Sequence, residues 1–145
     1  MSKIDSINRE LRLTASIDKV WAAISDPKQV ACWFGSKAEF QLEAGCEGWF
    51  EWPAEICTGR YAMRIEQVDA PHYLAWRWMA DQDVSFDETT STLVEWWLES
   101  EGQGTLLKLK ESGFLTHKQQ QLNVQGWLQE LAELSGYVDR ASMPV

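Results

Sequence analysis

Residues 16–35, SIDKVWAAISDPKQVACWFG, combine an amphipathic helix, an enforced restart and a bulky aromatic stop. Ser16 is expected to cap the first orphan amides of that helix, and Asp18 suits its positive end. Val20, Trp21 and Ile24 fall at i, i+1 and i+4 and form one apolar stripe. Asp26-Pro27 then breaks the helix, because proline lacks the amide that a helix interior needs, and seeds a second helix at its first position. Trp33-Phe34-Gly35 closes the second one.

Outward from this stretch the hydrophobic period changes twice. Before it, IDSINRELRL keeps Ile7, Leu11 and Leu13 roughly in step and reads as a first strand. After it come apolar alternations over 46–53, 59–68, 72–80, 90–100 and 104–112, with a weaker one at 37–42. Turn residues separate them at Gly59, at Asp69-Ala70-Pro71, over 81–91 and at Glu101-Gly102-Gln103-Gly104, so antiparallel hairpins are expected. Over about 115–139 the period becomes helical, with Val124, Trp127, Leu131, Leu134 and Val138 on one face. No repeat, low-complexity tract or linker divides residues 1–145, which are expected to be one domain.

Composition bounds the function. Apolar residues make up 45% and charged residues 24%, which is the balance of a soluble globular chain, and no apolar run reaches the roughly 18 residues of a membrane span. MSKIDSINRE places charges where a signal peptide needs its apolar block, so a cytoplasmic location is expected. The formal charge of −9, with bases scattered rather than striped, argues against nucleic acid as a partner. Cys32, Cys46 and Cys57 lack C-x-x-C spacing and read as reduced thiols in or near the core. His72 and His117 are far apart, and no metal, nucleophile-elbow, phosphate-loop or dinucleotide motif is present, so neither metal nor cofactor is expected.

Five stretches in combination resemble one family: 16–35, then 59–71 (GRYAMRIEQVDAP), 73–78 (YLAWRW), 104–114 (GTLLKLKESGF) and 123–131 (NVQGWLQEL). They are similar to the START/SRPBCC (Bet v-like) superfamily, most nearly to homologues of the C-terminal domain of the heat-shock-protein-90 ATPase activator. The resemblance implies an α+β helix-grip fold, a curved antiparallel sheet wrapped around a long C-terminal helix, with two short helices after the first strand. It also implies space between sheet and helix. One departure stands out: Cys46-Glu47-Gly48-Trp49 lacks the Gly-Gly pair common before the third strand.

Strand alternation sorts the candidate site residues. Phe50 and Trp52, Tyr61 and Met63, Trp76 and Trp78, and Trp96 are expected on the face turned to the last helix, opposite Trp127, with Trp33 closing the second helix nearby. Such rings either fill the interior or line a pocket. Glu111 continues the inward parity of Leu107 and Leu109, and buried acids are rare unless paired, so it is the candidate for anchoring a ligand or for acid–base work. The alternative is a strand-end acid paired with an arginine or exposed at the rim. Trp49 and Trp97 have the opposite parity and could mark a bulge or an exposed interface to a homodimer or protein partner. Gly126 inside the last helix suggests close packing on the sheet, or room for a ligand.

The leading expectation is therefore a domain that binds a hydrophobic small molecule, oriented by Glu111, Tyr61 or Arg64. A co-chaperone or protein-interaction domain is one alternative. A cyclase- or hydrolase-like enzyme using Glu111 is the other, and it ranks lower because no second catalytic group accompanies the carboxylate.

Overall fold

A computed structural model describes residues 4–34, 36–51 and 59–142. Strand β1 (Ile7–Leu13) leads into helices α1 (Ile17–Ser25) and α2 (Pro27–Trp33). Strands β2 (Lys37–Glu39), β3 (Glu47–Glu51), β4 (Arg60–Asp69), β5 (Tyr73–Met79), β6 (Ser91–Glu101) and β7 (Gly104–Ser112) follow, and helix α3 (His117–Ser142) ends the chain of elements. Among the described residues seven strands form one sheet in the order β1-β7-β6-β5-β4-β3-β2, every pair antiparallel. α1 and α2 thus carry the chain from one edge of the sheet to the other. The architecture is the α+β helix grip that the resemblance implied.

Local chemistry explains each junction. Asp26 ends α1 and caps α2, its carboxylate accepting from the Lys28 amide at 3.0 Å with Pro27 at the first helical position. Ser16 makes no side-chain cap, so the amino end of α1 rests on Asp18 in its first turn. The Trp33 indole donates to the Ala23 carbonyl at 2.8 Å and ties α2 back onto α1. Gly48 takes the place of the missing Gly-Gly pair. A Cβ there would lie 2.1 Å from the Glu39 carbonyl oxygen, so only glycine lets β2 cross so closely.

The core lies between the inner face of the sheet and α3. Trp127, Leu131, Leu134 and Val138 of α3 are buried against it, together with Phe50, Met63, Ile65, Trp76, Trp96, Leu107 and Leu109 from the strands. Trp96 meets Trp76 at 5.7 Å and Trp127 edge-on at 5.6 Å, and Trp33 meets Trp96 edge-on at 6.3 Å. Trp49 and Trp97 point to the other face in regular register, without a bulge at either. The irregularity lies instead between Ile65 and Gln67 of β4. Arg60 covers the Trp49 ring at 3.8 Å, and Tyr73 lies 5.5 Å from Trp97.

The cysteines correct part of the expectation made for them: both Cys32 and Cys46 are free, but Cys32 is exposed, its thiol donating to the Lys28 carbonyl at 3.4 Å, while Cys46 is half-buried. Cys57 lies outside the described residues. No helix among the described residues is long and apolar enough to cross a membrane.

Trp127→Ala should cost about 3–5 kcal/mol, the range for deleting a buried aromatic ring that leaves a cavity. Denaturant unfolding of the two proteins measures it, and an unchanged midpoint would contradict the burial of this face of α3.

Candidate functional site

Inward parity at the end of β7 buries Glu111 completely. Its carboxylate accepts from the Trp78 indole (2.8 Å), the Thr92 hydroxyl (2.5 Å), the Asn123 amide (3.0 and 3.1 Å) and the Trp127 indole (2.8 Å). These donors come from β5, β6 and α3. None carries a charge, and none of the ion pairs among the described residues involves Glu111. The arginine partner and the exposed rim position allowed for it are both replaced by a cage of neutral donors. Register explains the convergence, since Glu111 stands opposite Val94 on β6, two residues beyond Thr92, and Thr92 stands opposite Trp78.

The four donors also form part of the wall of a cavity of about 520 Å³ between α3 and the adjacent ends of β4, β5 and β6. Phe34 at the end of α2 stacks on Trp78 (5.9 Å, 8°) and on Trp127 (6.0 Å, 27°), and Trp78 stacks on Trp127 (5.6 Å, 24°). Tyr61 and Met79 continue the apolar wall, while Gln119, Leu122, Asn123, Gly126 and Glu130 supply the α3 side. Their spacing keeps all five on one helical face. A Cβ at Gly126 would meet nothing within 4 Å, so this glycine marks open space rather than tight packing.

Of the residues expected at the site, Tyr61, Trp78 and Trp127 line this cavity. Trp33, Phe50, Met63, Trp76 and Trp96 are buried deeper, where the sheet and α3 close on each other. Glu111 stands behind the wall and holds it. Trp52 lies outside the described residues. Arg64, a candidate for orienting a ligand, sits on the outer face and pairs with Glu66 and Glu88, because its parity on β4 is opposite to that of Tyr61 and Met63.

Reading the sequence missed Phe34, Thr92, Asn123 and above all Glu130. The Glu130 Oε2 atom is buried without a hydrogen-bond partner. Burial first, and the nearby Glu133 charge second, push its carboxyl up to about 7. The available signal was that 119, 122, 123, 126 and 130 share a helical face beside the apolar stripe, a pattern that also fits a solvated edge. Among the described residues no group of His, Cys, Asp and Glu is placed to hold a metal ion.

Two stability predictions test this geometry. Glu111→Gln should cost about 1–3 kcal/mol, because its amide hydrogens must face donors where the carboxylate accepted from all of them. Chemical denaturation checks it, and a variant as stable as the parent would refute the cage. Glu130→Gln should act oppositely. A carboxyl whose folded value of about 7 exceeds its ordinary 4.5 destabilises the fold progressively as pH rises between those values. Relative to the parent, the Gln variant should be unchanged near roughly pH 4 and more heat-stable near roughly pH 8; thermal unfolding at the two extremes gives the sign.

The fold has many structural relatives. Protein MLL2253 from Mesorhizobium loti is similar with a TM-score of 0.82 at 20% identity, over 96% of this chain and 100% of that one. Protein BH1534 from Bacillus halodurans is similar with a TM-score of 0.76 at 22% identity, over 95% and 99% of the two chains. CalU16 from Micromonospora echinospora is similar with a TM-score of 0.72 at 26% identity, over 92% of this chain and 75% of that one. Among curated protein sequences none matches. Residues 14–139 match the family described as Activator of Hsp90 ATPase homolog 1-like protein, and with nearly all of its elements inside that match the chain belongs to this family.

Proposed function

We propose that this chain binds an apolar small molecule between α3 and the ends of β4, β5 and β6. The observation that carries the reading is the cavity of about 520 Å³ walled by Phe34, Tyr61, Trp78 and Trp127. Its volume falls within the roughly 300–1,000 Å³ of small-molecule sites, and a few polar groups set in an aromatic wall are their usual composition. The Glu111 cage supports the same reading, because hydrogen bonds that fix two indoles preorganise the wall before any ligand arrives.

A broader hollow of about 1050 Å³ lies on the outer face of the sheet, where Glu10, Lys108 and Lys110 alternate in sign around Trp97. Its lining is mostly charged and polar side chains of the outer strand face, so the aromatic cavity is the better site for an apolar ligand. Catalysis by Glu111 is disfavoured, since all of its lone-pair directions are turned to wall residues.

A neutral fluorescent probe, N-phenyl-1-naphthylamine, should bind saturably and with one site per chain. Gly126→Leu should weaken that binding at least about tenfold by growing a side chain into the cavity, while the helix gains about 1 kcal/mol in propensity. Probe titration and thermal unfolding of the same samples decide it: binding undisturbed by a folded Leu variant would place the probe elsewhere and remove the proposal.

A further inference from the structure

The two carboxyl groups near the cavity have opposite surroundings. Glu111 is surrounded by donors and offers a ligand nothing, whereas Glu130 lines the cavity as its one acid, and its Oε2 atom has no hydrogen-bond partner. We propose that the cavity is selective for organic cations: a protonated amine donates to Glu130 while its apolar body lies against Phe34, Trp78 and Trp127. This inference rests on the cavity being the binding site argued above.

Several features of the wall favour a positive head group. No lysine, arginine or histidine lines the cavity, so among the described residues nothing there competes for the carboxylate. Phe34 of α2, Trp78, Met79 and Ala80 at the end of β5, and Thr92 of β6 face it without charge. Of the titratable groups, Glu133 on its own helix acts on Glu130, Tyr61 of β4 shares the cavity wall, and Glu111 of β7 lies behind Trp78 and Trp127. Indole faces attract cations through their quadrupole, and that attraction grows where water is excluded. A cation beside Glu130 also offsets the desolvation of its charge, which is costly in the empty protein. An anion leaves that cost in place, and a neutral hydroxyl offers a hydrogen bond without the compensating charge. Since burial raises the Glu130 carboxyl to about 7, its ionised form, and with it the preference for cations, strengthens as pH rises through that value.

Isothermal titration calorimetry with three guests of one apolar body tests the selectivity: 1-naphthylmethylammonium, 1-naphthylmethanol and 1-naphthoate. The ammonium should bind the parent at least about tenfold more tightly than the alcohol near roughly pH 8, and the naphthoate most weakly. That margin should shrink near roughly pH 5.5, where Glu130 is mostly protonated. Glu130→Gln should erase the margin but keep the alcohol's affinity. Glu133→Gln, which leaves the cavity intact and removes one negative charge just as Glu130→Gln does, should keep most of it. Equal affinities for ammonium and alcohol in the parent overturn the cation preference while leaving an apolar site standing. A margin lost equally in both variants also overturns it, as general attraction to an acidic protein. If neither ammonium nor alcohol binds at millimolar concentration, the cavity is not a binding site for such guests and both readings fall.

Discussion

Burying a carboxylate that has no ion-pair partner is tolerable only if hydrogen bonds replace the water it loses, and Glu111 meets that condition with four neutral side chains. The condition constrains more than one residue. Trp78 and Thr92 must be neighbours across β5 and β6, and α3 must be phased so that Asn123 and Trp127 turn toward the sheet together. A one-residue slip of β7 would carry Glu111 to the outer face and bring Lys110 or Ser112 inward in its place, according to the direction of the slip. One acid therefore holds the register of the sheet, the rotation of the helix and the orientation of two indoles in the cavity wall.

The other inward tryptophans obey a different balance. Trp76 and Trp96 are fully buried, yet neither indole nitrogen has a hydrogen-bond partner. An unpaired buried donor costs about 1–3 kcal/mol. Burying an indole removes up to about 250 Å² from water, worth ~6 kcal/mol at about 25 cal/mol per Å². Packing therefore wins where rings meet rings on all sides. Near the cavity a ring has open space on one side and loses part of that packing, and there the hydrogen bond to Glu111 supplies the orientation that neighbours supply elsewhere.

This difference explains which parts of the molecule were legible in the sequence. Strand parity needs only the period of two, so it placed Tyr61, Trp78 and Glu111 on the inner face without knowledge of the helix. Parity does not say how far along a strand the helix stays in contact, and that distance separates Trp76 in the core from Trp78 at the cavity. Phe34 looked like part of a helix stop, because its partners lie 44 and 93 positions onward in Trp78 and Trp127. Asn123 and Glu130 sit beside an apolar stripe, where polar residues ordinarily meet solvent. Gly126 was ambiguous because a missing side chain can signal close approach or empty space, and only the surrounding atoms distinguish them.

The contrast between the two acids follows from what each position is free to give up. Replacing either glutamate by a neutral residue removes a buried carboxyl, but at Glu111 it leaves four donors facing one another, and at Glu130 it strands none. The first acid is thus held in place by the fold's own stability. The second works against stability wherever it is ionised, so the fold alone supplies no reason to keep it. On the proposed binding reading it is therefore on Glu130, which lines the cavity, rather than on Glu111 that the chemistry of a ligand would act.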